Sequence, residues 1–441
     1  MRQNMEKVIR KTRSICPRCG RAVDASVVVR SGATYLDKSC PEHGPFSATI
    51  WRNKKSIFDW YGDVEPLDAA AAPNCPSECR ENGLCAAHKS ATCCIVLEVT
   101  GRCNLRCRYC FAAPDGARDR PAEEIVKEIA GFAVPGKTLV QLSGGEPTLR
   151  DDLPEITAAA KKLGCKYVQL NSNGIRLAED EAYVKELADA GLSFVFMQFD
   201  GTDDEIYEKL RGAPLFAVKE KAIDNCAKYN VGVTLVPTIV RGVNDGAIGG
   251  ILRWAVSKSP KVRGVHFQPA AYLGRIPNIP DDGARFTLDE LVCAIEEQSS
   301  GLVESSSLQP SRCDHPLCGF HGDFVVLEDG GLHALTKKRD DAPCCCCGVE
   351  NPADKNREFV GRRWQRPKEE NASCCSSSND MEDMDYFLSR VATHGFTVTS
   401  MAFQDAGNVD LERLRMCSLH AAKNGRLVPF CVNYMTLWDR V

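Results

Sequence analysis

No stretch of the 441-residue chain approaches 18 consecutive apolar residues, so the sequence predicts no membrane-spanning helix. The opening residues Met1, Arg2, Gln3 and Asn4, followed by Glu6, Lys7, Arg10, Lys11 and Arg13, offer no apolar core for a secretory leader. An excess of one charge is missing too. The 55 Lys and Arg against 59 Asp and Glu leave a net charge of −4, which implies no face for nucleic acid or an anionic membrane. The balance of 44% hydrophobic and 26% charged residues is that of a globular chain with a sizeable core, long enough for two or three domains or one large α/β domain with attachments. What stands out is 24 cysteines. Disulfide scaffolds of that density are short and secreted, so the expectation is a cytoplasmic chain whose clustered thiols bind metal.

Four zones separate. Residues 1–65 hold Cys16-Pro17-Arg18-Cys19 and Cys40-Pro41-Glu42-His43 with short strand candidates between and after them. Residues 66–94 are cysteine-rich. Residues 95–300 alternate continuous apolar strands (Ile95–Val99, Thr138–Leu142, Tyr167–Leu170, Phe194–Phe199, Val233–Ile239, Val262–Gln268) with amphipathic helical stretches. That alternation predicts parallel βαβ units and a partial (β/α)6, TIM-like barrel, whose chemistry sits at the carboxyl ends of the strands. Residues 301–441 are cysteine-rich again, with a polar stretch at about 340–380 that reads as a mobile insertion.

Directly after the first of these strands comes Cys103-x3-Cys107-x2-Cys110-Phe111. Three soft thiolates on one loop can hold three irons of a cubane and leave the fourth iron open, although a zinc site or a loop of buried cysteines has the same composition. The motif resembles the defining loop of radical S-adenosylmethionine enzymes. Gly144-Gly145-Glu146-Pro147, Asn173, Gln198 and Asp200, Thr238, and Gln268 resemble that family's further marks on successive strand ends. The resemblance implies a [4Fe-4S] cluster on Cys103, Cys107 and Cys110, which are also the catalytic residues, and S-adenosylmethionine contacts from the other residues just named. It further implies reductive cleavage to a 5′-deoxyadenosyl radical, hydrogen abstraction from an unactivated C–H bond, an electron donor such as ferredoxin or flavodoxin, and an anaerobic setting.

The remaining cysteines fall into groups. Cys16, Cys19, Cys40 and His43 have the spacing of a zinc ribbon or rubredoxin-like site, and spacing leaves zinc and iron both open. Cys75, Cys79 and Cys85, with Cys94 or Cys93 as fourth ligand, suggest one auxiliary cluster. Cys313 and Cys318 with Cys417 and Cys431 suggest a second. The overall layout resembles the tetraether lipid synthase branch of the radical family, some relatives being selenoproteins, and this implies carbon–carbon or carbon–sulfur bond formation. Cys344 to Cys347 with Cys374 and Cys375 depart from that pattern and keep other readings open: modification of a peptide or thiol, or a non-catalytic metal-handling protein. Cys165, Cys226 and Cys293 read as core, and the substrate could be a lipid, a peptide or a small molecule.

Overall fold

A computed structural model describes residues 6–62, 76–335, 351–366 and 379–441. The amino-terminal module is a four-stranded antiparallel meander: β1 (Lys7–Ile15), β2 (Ala22–Arg30), β3 (Ala33–Cys40) and β4 (Gly44–Trp51). Alternating burial along β3 places Leu36 and Cys40 inward and Asp37 and Ser39 outward, as expected for strands with one wet face.

The central sheet begins with β5 (Cys94–Thr100), β6 (Leu139–Gly144), β7 (Tyr167–Ser172), β8 (Phe194–Gln198), β9 (Gly232–Val236), β10 (Thr238–Ile239) and β11 (Val262–Pro269). β5 to β9 and β11 pair in parallel, in chain order, with helices in the connections. The partial barrel is therefore as the apolar runs imply. Two boundaries move for local reasons. Pro237, which has no N–H to donate, separates β9 from β10. The other lies at Asp180, which accepts from Tyr183 N–H and so starts the helix Glu181–Asp189 separately from the short helix Ile175–Glu179 before it.

The carboxyl-terminal zone does more than carry cysteines. It supplies β12 (Gln309–Pro310), β13 (Gly319–Val326), β14 (Leu332–Ala334), β15 (Gly395–Met401), β16 (Leu419–Lys423) and β17 (Arg426–Pro429). β15 lies parallel to β11 and β16 parallel to β5, so both edges of the barrel sheet are extended by the same segment. Antiparallel β13 and β17 then cover β15 and β16.

Part of the stretch at 340–380 is also built in. Pro352–Trp364 is a helix with Ala353, Val360 and Trp364 buried, and Trp364 donates from Nε1 to Thr397 Oγ1 at 2.9 Å. With Leu139, Tyr167, Phe194 and Phe196 it closes the end of the barrel where the strands begin. The polar residues between its widely spaced apolar positions hid this face from the sequence reading.

The ribbon is docked on the rest of the chain through buried polar groups. Arg10 bridges Asp410 and Glu412, and Lys38 Nζ reaches Ala406 O at 2.9 Å. The carboxylate of Asp289, fully buried, accepts from Arg52 N–H (3.1 Å), Lys54 N–H (2.8 Å) and Thr287 Oγ1 (2.7 Å). Asp289→Ala leaves those donors unsatisfied and is expected to cost about 2–3 kcal/mol in a denaturant titration, with Asp289→Asn losing less. Equal stability of both variants and the parent protein would contradict this docking role.

Candidate active site

The loop after β5 is pinned before any ligand is considered. Cys110 exchanges backbone hydrogen bonds with Arg275, 3.1 Å in one direction and 2.8 Å in the other, and Arg108 N–H donates to Leu210 O at 3.0 Å. Opposite it, Gly145 N–H donates to Thr100 O (2.9 Å) and Glu146 N–H to Arg102 O (2.7 Å). Side chains cannot enter this seam: a Cβ on Gly145 would lie 2.0 Å from Arg102 O, and one on Gly144, whose φ is +125°, would lie 2.3 Å from Thr100 O.

The backbone turn then sends Glu146 inward. Its fully buried carboxylate accepts from Thr148 Oγ1 (2.7 Å), Thr148 N–H (3.2 Å), Ser172 Oγ (2.8 Å) and Asn173 N–H (2.7 Å). Burial raises the carboxyl above its ordinary value, and these donors oppose the rise. Asn173 is fixed in turn through Asn104 Oδ1 at 2.7 Å.

Cys103, Cys107, Cys110, Gly144, Gly145, Glu146, Asn173, Gln198, Thr238 and Gln268 all line a single cavity of about 310 Å³. Pro147 and Asp200 stand behind its wall. The Asp200 carboxylate accepts from Arg211 (2.6 and 2.7 Å), from Thr238 N–H (3.1 Å) and from Gln198. Arg211, at the end of helix Asp204–Arg211, is the group that reaches the cavity, next to the Leu210 carbonyl on which the cysteine loop rests. Lys219 is buried beside them, with Nζ on Asn173 O and Gln198 Oε1, and burial brings its ammonium down to about 7. Neither cation stands out in the sequence, since both sit in ordinary amphipathic helices.

The donor set suits an iron–sulfur group. The three thiols are free and partly exposed to the cavity, share one pinned loop, and face a buried carboxylate and a backbone seam that excludes side chains.

Further down, the chamber becomes an amide floor. Gln169 Nε2 donates to Gln141 Oε1 (3.0 Å) and Asn171 Oδ1 (3.2 Å), and Cys94 donates to Gln141 Oε1 at 3.5 Å. Phe196, His266 and Trp364 form an aromatic wall beside it. His266, left open by the sequence between site and wall, lines the cavity and bonds Thr399 Oγ1 through Nδ1 at 2.8 Å.

The other cysteines follow their spacing only in part. Cys16, Cys19, Cys40 and His43 form the one group among the described residues whose ligand atoms all lie within 4.8 Å of one another. His43 Nδ1 is 3.6 Å from Cys16 Sγ and 3.5 Å from Cys40 Sγ, and its hydrogen bond holds the Cys40 thiol down to about 6. Cys79 and Cys85 pack in one buried cluster, and their expected companion Cys75 lies outside the described residues. Cys318, Cys417 and Cys431 come close enough to interact electrostatically. Cys313 instead packs with Cys93 in the cavity wall. Cys344 to Cys347, Cys374 and Cys375 fall outside the described residues. Cys165 and Cys226 are buried and Cys293 half-buried. No described helix is long and apolar enough to cross a membrane.

Burial pulls the His266 imidazole from 6.5 down to about 3. Between those values the unfolded chain binds a proton that the folded chain does not, so stability falls as pH drops through 6.5 toward 3. His266→Gln is expected to flatten part of that acid limb in denaturant titrations at pH 4.5 and 7.5. An unchanged difference between the two pH values contradicts the assignment.

Comparison with known proteins agrees with this geometry. The radical SAM superfamily profile matches residues 97–255, and a profile described as the HMPTM N-terminal zinc ribbon domain matches residues 8–52. A 7,8-dihydro-6-hydroxymethylpterin dimethyltransferase of Methanocaldococcus jannaschii is 32% identical, over 98% of this chain and 94% of its own. A GTP 3′,8-cyclase of Edwardsiella ictaluri is 36% identical over 36% of this chain and 50% of its own. Among solved structures, Streptococcus suis SuiB bound to precursor peptide SuiA matches at 17% identity and a TM-score of 0.36, covering 44% of each chain. Neither curated relative bears a lipid-synthase name, so the likeness to that branch rests on cysteine layout.

Proposed function

The chain belongs to the radical SAM superfamily and is an enzyme of it; from that premise we propose that it forms a carbon–carbon bond at an unactivated carbon of a polar, ring-containing small molecule of the pterin class. The observation that carries this reading is the amide floor of the chamber. Gln141, Gln169 and Asn171 present carbonyl and amide groups together, the complement of a ring edge that both donates and accepts. Phe196 and Trp364 offer aromatic faces beside it. The full-length similarity to a protein named as a pterin dimethyltransferase points the same way.

When bound, the cluster and S-adenosylmethionine supply a 5′-deoxyadenosyl radical that abstracts a hydrogen atom. The residues of this chain do the rest. Cys103, Cys107 and Cys110 would hold iron, and the backbone of Gly144 and Gly145 with Glu146 would orient the methionyl amine. Gln198, Thr238 and Gln268 would bound the nucleoside. Trp364 and Val360 close the far end of the chamber against water. In the ribbon, three thiols and one imidazole are a structural zinc set, so zinc is the metal proposed for Cys16, Cys19, Cys40 and His43. Cys79 and Cys85, and separately Cys318, Cys417 and Cys431, are proposed to contribute to auxiliary clusters. A small reduced iron–sulfur or flavin protein is the proposed electron source.

Anaerobically reconstituted protein with dithionite is expected to release 5′-deoxyadenosine, and Cys107→Ala to release none. A reduced pterin should stimulate that release more than lipid or peptide. Gln169→Leu should lower the pterin-dependent rate at least about tenfold, roughly 1.4 kcal/mol of lost recognition. Stimulation by lipid or peptide with none by the pterin would sink the substrate reading. Release from Cys107→Ala would sink the chemistry.

A further inference from the structure

Arg211 has a place that scaffold alone does not explain. A buried arginine needs a carboxylate, and Asp200 supplies one in a bidentate pair at 2.6 and 2.7 Å. A pair with no other purpose would be closed on itself. This one is aimed: Thr238 Oγ1 accepts from the same guanidinium nitrogen at 3.1 Å, Arg211 lines the cavity that Cys107 also lines, and the residues next to each are tied together, Arg108 N–H donating to Leu210 O at 3.0 Å. Asp200 is locked from behind by Thr238 N–H, Gln198 and its own carbonyl, which accepts from Asn244 Nδ2 at 3.0 Å. The left-handed Gly212 (φ +82°) ends the helix at Arg211 and fixes where that side chain begins.

We infer that Arg211 is a positioning residue of the iron site, holding a permanent positive charge against the Cys107 thiolate so that the cluster accepts an electron more readily. This rests on the iron–sulfur reading of Cys103, Cys107 and Cys110. In the step concerned, one electron from dithionite enters the cluster and adds one negative charge. No bond forms or breaks, and no proton moves, because a guanidinium stays charged throughout the accessible pH range. A cation fixed in a water-poor site favours the more negative state, and it does so without reorganising when the electron arrives.

The test compares wild type, Arg211→Lys and the double variant Arg211→Gln/Asp200→Asn, which keeps amide hydrogen bonds but removes both charges. Each is reconstituted anaerobically, its iron content counted, and its cluster followed by electron paramagnetic resonance during a dithionite titration. The double variant is expected to load as much iron as wild type. Its ratio of reduced to oxidised cluster at a fixed solution potential should be about tenfold lower, equivalent to 59 mV for a one-electron couple. Arg211→Lys, with its charge kept, should stay near wild type. An unchanged midpoint in the double variant overturns the proposal, as does an Arg211→Lys midpoint that follows the double variant. If neither variant takes up iron, the pair is scaffold and the proposal falls. Release of 5′-deoxyadenosine by wild type is scored separately, since its absence would strike the radical chemistry and leave the midpoint comparison standing.

Discussion

The approach of two backbones, the carboxyl ends of β5 and β6, is the constraint from which the reacting end is built. Gly144 and Gly145 let the second strand's exit lie against Thr100 and Arg102, with hydrogen bonds of 2.9 and 2.7 Å and no room for a Cβ. That contact fixes where Cys103 begins its loop and where Glu146 turns under it. From Glu146 the order spreads by hydrogen bonds to Thr148, Ser172 and Asn173, and from Asn173 to Asn104 within the cysteine loop. Cysteine loop and carboxylate are thus one object. A single side chain added at Gly145 disturbs both.

Around this object the chain uses its ends to finish what the barrel lacks. Six βα units leave two open edges and an open mouth at each end. β15 and β16 take the edges, and the helix Pro352–Trp364 fills the end opposite the thiols. The ribbon is tied to the same carboxyl-terminal segment through Arg10, Asp410 and Glu412. Glu412 also accepts from Tyr61, next to the buried His315, and Arg413 beside it donates to Leu317 O at 3.0 Å, one residue before Cys318. Polar contacts therefore run from the amino-terminal ribbon to the turn that carries Cys318.

Much of this was legible in the sequence, and the reasons are specific. Strands buried on both faces are short apolar runs, so β5 to β11 were visible with their helices. Ligands that come from one loop, such as Cys103, Cys107 and Cys110, announce themselves by spacing, and so do the paired knuckles of the ribbon. Sites assembled from distant segments do not. Cys313 was read with Cys318 because they are neighbours in the chain, yet Cys318, in the turn Pro316–Cys318 before β13, lies toward Cys417 and Cys431 while Cys313 packs with Cys93. Arg211 and Lys219 look like the polar faces of surface helices, and only the tertiary fold shows both buried behind the thiols. Asp200 illustrates the same limit: its motif position suggested a cofactor contact, while its carboxylate serves Arg211.

The proposed chemistry requires that three thiolates leave one iron free to take S-adenosylmethionine beside Glu146. Electron–nuclear double resonance on the reduced cluster, with S-adenosylmethionine carrying 15N at its amine, measures this directly. A 15N coupling strong enough to require a bond to iron is expected. A cluster whose spectrum is the same with and without the labelled molecule would contradict it.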